Sequence, residues 1–192
     1  MRAASLAIVL SLALAACQPE AEQAAAPTPD ELGQDEPGAP LPEVDTTPVA
    51  WDAMSKTAEA FTGPITLAKL PFTGPNDTES IRIEAANGIV YEADLIPGTA
   101  GDTSVDWGAI LAVPEGQAPP PVSIYAVARE TVPEGAPNGG LCDRTFALAI
   151  ANLDRDGVGE TMTIAAFSGE TWPPVDETAL CGTFGYAKPV TP

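Results

Sequence analysis

Ile81-Arg82-Ile83-Glu84-Ala85-Ala86-Asn87-Gly88-Ile89-Val90-Tyr91-Glu92-Ala93-Asp94-Leu95 is the stretch that decides the fold. Ile81, Ile83 and Ala85 alternate with Arg82 and Glu84, the period-two pattern of a strand with one dry face. Asn87-Gly88 breaks the run before a second alternation opens at Val90. Two registers compete. A two-residue Asn-Gly loop sets Ile83 opposite Glu92 and Ile81 opposite Asp94, mixing apolar and charged side chains on one face. A three-residue loop, Ala86-Asn87-Gly88 with Gly88 left-handed, sets Ile83 opposite Tyr91, Ile81 opposite Ala93 and Arg82 opposite Glu92. Only the second register sorts both faces, so a hairpin with a G1 bulge is expected.

Working outward, further strands are expected at residues 104–113, 122–130, 145–152 and 161–167, parted by Pro/Gly-rich stretches at 114–121 and 133–140. Trp107, alternating with Val105, Ala109, Leu111 and Val113, is expected in the core. Trp51, Met54, Ala58 and Phe61 recur at intervals of three and four, which predicts one short helix ending near Gly63-Pro64. The expected fold class for residues 49–192 is therefore mainly β, an antiparallel sandwich or small barrel with one short N-terminal helix.

The chain of 192 residues carries 27 acidic and 8 basic residues, a net charge of −19. A field of that sign repels nucleic acid and anionic headgroups and favours cations or basic proteins. Histidine is absent, which removes Ser-His-Asp and Cys-His catalysis and every His-ligated metal. The Ser-x-x-Lys spacing is absent too. An enzyme built here would rely on carboxylates, Tyr, Lys or Cys; the expectation is no enzyme and no cofactor.

Met1-Arg2 and the apolar run over residues 6–14 read as the n- and h-regions of a signal peptide, too short for a membrane span of about 20 residues. The run ends in Leu14-Ala15-Ala16-Cys17, which resembles the lipobox of bacterial lipoproteins. The resemblance implies cleavage after Ala16 and fatty acylation of Cys17, with anchoring strengthened by about 0.8 kcal/mol per buried CH₂. An ordinary cleavage site at Ala13-Leu14-Ala15 is the competing reading. Gln18, in place of Asp, points to the outer membrane under the sorting rule of such lipoproteins. Residues 17–48 read as a disordered tether: positions 18–48 hold seven prolines, five alanines and eight acidic residues, with no basic or aromatic residue. Such a spacer spans about 30–90 Å depending on stiffness.

With Cys17 lipidated, Cys142 and Cys181 remain and read as one disulfide in an oxidising compartment. No Cys-x-x-Cys spacing supports a redox or metal pair. Leu180-Cys181-Gly182-Thr183-Phe184 together with Ala165-Ala166-Phe167-Ser168-Gly169 resembles small exported bacterial proteins of unknown function, which implies no activity.

Four constellations are candidate sites. Asn152, Asp154, Asp156 and Glu160 occupy positions 1, 3, 5 and 9 of a calcium loop with Gly157 at position 6, but Thr163 replaces the bidentate Glu at position 12. Asp-x-Asp-Gly between apolar strands equally suits a plain turn. Glu130 with Glu134, or Asp154 with Glu160, could act as an acid–base pair. Trp172, before Pro173-Pro174, could stack on a sugar or a partner, or cover a core end. Arg129, Arg144 and Arg155 are scattered and expected to pair with carboxylates. The functional expectation is a non-catalytic interaction or structural module anchored in the envelope, facing the periplasm. The alternatives are an inhibitor of a basic lysozyme-like protein and a carboxylate-dependent peptidoglycan or glycan hydrolase.

Overall fold

The computed structural model describes residues 43–71, 78–98, 105–155, 159–171 and 177–189. Eight antiparallel strands follow one another around a closed barrel: β1 (Val49–Ala53), β2 (Ile65–Leu70), β3 (Ser80–Ala85), β4 (Val90–Leu95), β5 (Val122–Thr131), β6 (Ala147–Arg155), β7 (Gly159–Phe167) and β8 (Leu180–Ala187). Each strand pairs with its chain neighbours, and β8 returns to β1 through Asp52–Ala187 and Ala53–Tyr186. Closure removes the exposed edges that an open sheet would present.

The hairpin adopts the register that sorts both faces. Ile83 faces Tyr91, Ile81 faces Ala93 and Arg82 faces Glu92. Gly88 takes φ +88°, its N–H donates to the Ala85 carbonyl, and the Ala85 N–H donates to the Ile89 carbonyl, so the bulge forms as the side-chain pattern demands. On the outer face Arg82 meets Glu92 across the strands at 2.6 Å.

Alternation sends one face of every strand into a filled lumen. Tyr91, Phe184, Tyr186, Met162, Ile164 and Leu148 are almost wholly buried there. The opposite face of β5–β7 is also dry. Ala147, Ala149, Ala151 and Ala165 form a floor of small side chains under Trp107 of a short helix, α2 (Trp107–Ile110), and under Leu111 that caps it. Methyl-sized residues let the helix lie close to the sheet, and Trp107 packs edge-on against Phe167 with ring centroids 6.2 Å apart.

Two elements differ from the sequence expectation. Residues 105–113 form α2 and its flanks instead of a strand. Asp106 caps the helix by accepting from the Ala109 N–H at 3.1 Å, and Trp107 and Leu111, four apart, face the same core. Trp107 is buried as expected, from a helix. The front helix, α1 (Lys56–Phe61), begins only after Ser55, whose Oγ accepts from the Ala58 N–H. Trp51 lies in β1 opposite Ile65, and Met54 is exposed, so neither belongs to α1. Strands β1, β2 and β8 add to the expected set.

The lower end of the barrel is closed. There α1 packs Phe61 against Phe184, and Thr62 Oγ1 bonds the buried Tyr186 hydroxyl at 2.8 Å. Cys142 and Cys181 are joined as expected. Cys142 belongs to the lumen core, while Cys181 is the extra residue at a bulge where β8 shifts register against β7.

Candidate functional site

At the opposite end of the barrel, where β2 ends and β3 begins, the inward positions turn polar. Ile65, Leu67 and Lys69 share the inward face of β2, and Ile81 and Glu79 share that of β3 and its lead-in, so the last inward positions are charged. Lys69 Nζ and Glu79 Oε2 lie 2.9 Å apart, and the Tyr125 hydroxyl, rising from the lumen, donates to Glu79 Oε1 at 2.9 Å. Burial raises the Glu79 pKa, but the hydrogen bonds from Lys69 and Tyr125 and the Lys69 charge outweigh it and hold the carboxyl below its ordinary value. Burial, reinforced by the Glu79 carboxylate, pushes the Tyr125 hydroxyl up.

Residues 43–47, read from sequence as the end of the tether, run beside Leu67, Lys69 and Glu79. Together with β1 and β2 they enclose a cavity of about 440 Å³. Val44, Val49, Leu67 and Leu70 supply apolar walls, and Glu43, Asp45 and Glu79 supply carboxylates. Asp45 accepts from the Thr47 N–H at 2.9 Å, and hydrogen bonds from the Thr47 side chain and backbone lower its pKa. Sequence reading missed this site entirely. The alternation of Ile65, Leu67 and Lys69 after Gly63-Pro64 was the available signal for β2.

A second polar cluster lies at the closed end. The buried Tyr91 hydroxyl accepts from the Leu141 N–H at 2.8 Å. Glu130 receives the Thr145 N–H at 3.1 Å and the Thr145 hydroxyl at 2.9 Å. Burial, chiefly, raises the Tyr91 pKa, with the Glu130 carboxylate adding to it. This network pins the loop around Cys142 to β4 and β5. Glu130 thus faces Thr145, whereas Glu134 stands exposed on the next turn.

The proposed calcium segment is an extended hairpin over its described residues. Asn152 pairs with Met162 and Asp154 with Glu160 in the β6–β7 ladder. The Glu160 carboxylate holds Lys188 Nζ, whose charge sits 5.5 Å above the Trp51 ring. Asp156 lies outside the described residues, as do Cys17 and Trp172. No group of three or more His, Cys, Asp or Glu is arranged to hold a metal among the described residues. Arg129 pairs with Glu92 at 3.1 Å beside Arg82, while Arg144 is exposed. A smaller cavity of about 190 Å³ against Arg82, Glu92 and Arg129 is lined by charges already paired with one another.

No family model matches the chain, and neither the curated proteins nor the solved structures contain one similar to it.

Proposed function

We propose that this chain is a lipid-anchored, non-catalytic binding module of the bacterial cell envelope whose acidic barrel takes a cationic protein as its partner. In this reading lipid on Cys17 holds the chain at a membrane facing the periplasm, the outer membrane by the identity of Gln18. The observation that carries the partner class is the disposition of charge. Lys69, Arg82, Arg129 and Lys188 are each ion-paired with a carboxylate of the same chain. From residue 49 onward nineteen acidic residues stand against seven basic ones. Neutralising four of those seven cations internally leaves the surplus carboxylates facing solvent. A field of that sign steers basic proteins inward and turns phosphate-bearing polymers away.

Three features support the rest of the reading. The Cys142–Cys181 disulfide suits an oxidising compartment. The lumen is filled by aromatic and aliphatic side chains, which favours recognition at the surface over engulfing a large ligand. Glu130 and Glu160, on which a carboxylate hydrolase would depend, are engaged by Thr145 and Lys188. A lysozyme-like hydrolase is one cationic protein of the proposed class, and binding it would protect the cell wall.

Retention on the immobilised full chain tests the partner class, comparing a basic lysozyme with an acidic protein of similar size. The basic protein alone should be held, and rising salt should release it. Equal retention of both, or no retention of the basic one, contradicts the proposal. Mass spectrometry of the chain taken from cell envelopes tests the anchor: Cys17 should be N-terminal and acylated, and an unmodified, uncleaved chain contradicts it.

A further inference from the structure

We infer that the cavity between residues 43–49 and β2 is the anchor point for one lysine or arginine side chain of that cationic partner. The inference rests on the proposed partner class and adds where and how the partner is held.

The chemistry of the cavity matches a long apolar stem with a cationic tip. Val44, Val49, Leu67 and Leu70 form walls against which a methylene chain can lie, and Val49 is among the few large apolar residues left exposed. Such stems bury readily on apolar surface while the charged head stays at a polar rim. Here the rim carries Glu43, Asp45 and Glu79. Asp45 is oriented by Thr47, and Glu43 has no ion pair among the described residues. An anionic or purely apolar guest fits less well, because it would leave those carboxylates facing like charge or losing water.

Barrel topology concentrates more acid at the same end. The end of β4 and the start of β7 bring Asp94 and Glu160 to this side, and its described lysines, Lys69 and Lys188, are both paired. Lys69 already occupies part of the role proposed for the guest. Its ammonium holds Glu79 at one wall of the cavity, a self-supplied cation that a partner's side chain can supplement or displace.

That arrangement yields a signature with two opposite signs. Trilysine and a basic lysozyme are titrated into the full chain in detergent micelles, with folding checked by circular dichroism. E43Q/D45N should weaken binding of both about fivefold at low salt, as expected for two lost surface charge contacts. E134Q/E170Q changes charge equally at the closed end and should move affinity less than twofold. K69M should tighten binding by freeing Glu79, whereas K56M, on α1, should not. If wild type binds the lysozyme but E43Q/D45N and K69M behave like their controls, the cavity is not the anchor and the partner class stands. If wild type binds neither probe, the partner class fails and the anchor falls with it.

Discussion

Replacing Gly140 by alanine isolates what holds the closed end together. Gly140 has φ +109° and ψ −152°, a region that glycine alone occupies readily, and forcing another residue there costs about 1–3 kcal/mol. A Cβ at this position would lie 2.8 Å from both Glu130 Oε1 and the Tyr91 hydroxyl oxygen. Neither oxygen can retreat freely, because Glu130 holds Thr145 and Tyr91 holds the Leu141 N–H. Displacing one of them strands a buried polar group, a further cost of about 1–3 kcal/mol. The expected loss for G140A is therefore about 4 kcal/mol. Gly169 supplies the control, with φ +124° and open space where its Cβ would stand, so G169A should lose about 2 kcal/mol, the backbone strain alone. Urea unfolding of the three proteins measures this. With a slope of about 2 kcal/mol per molar, G140A should unfold about 2 M earlier than wild type and clearly earlier than G169A. Equal midpoints for the two variants would refute the claim that the Tyr91–Glu130 network fills the space above Gly140.

Other perturbations probe different layers. C142S/C181S opens a loop spanning 39 positions and should cost about 4 kcal/mol by chain entropy, seen as an earlier urea midpoint that reductant reproduces in wild type. A149L should overpack the alanine floor beneath α2 and cost about 1–3 kcal/mol, with the near-ultraviolet signal of Trp107 reduced. All three tyrosines are held protonated by burial, Tyr186 with its pKa pushed up to about 12. The folded barrel then retains protons that the unfolded chain releases above about pH 10, so stability falls as pH rises through that value. Tyrosinate absorbance should appear together with loss of the β circular dichroism, not before it. Glu79 works in the other direction: its lowered pKa contributes stability above the ordinary carboxylate range, which disappears as pH falls through its own value, and E79Q should flatten that acid limb.

What could be read in advance follows from how locally each feature is determined. The β3–β4 hairpin was legible because its two possible registers differ in whether charges meet apolar residues, and Gly88 supplies the left-handed step. Residues 105–113 misled because positions four apart satisfy both a strand's and a helix's period. Trp107 and Leu111 share a face either way, and the capping Asp106 decides for the helix. Trp51 and Met54 fell by coincidence into phase with α1, hiding β1 and the start of the helix at Ser55. The cavity beside β2 was illegible for a different reason. Lys69 and Glu79 meet only through the β2–β3 register, and Glu43 and Asp45 belong to a Pro-rich acidic stretch whose composition reads as solvent-exposed spacer. The disulfide needed only the count of cysteines and a compartment, whereas its position at a β8 bulge needed the sheet.

Cross-linking the full chain in the envelope of cells that make it, then identifying what is captured at low and at high salt, puts the proposed role to its most direct trial. The account predicts a basic protein, joined near the cavity formed by residues 43–49 and β2 and lost as ionic strength rises. Capture of acidic proteins alone, or of a basic one that salt leaves untouched, would contradict it.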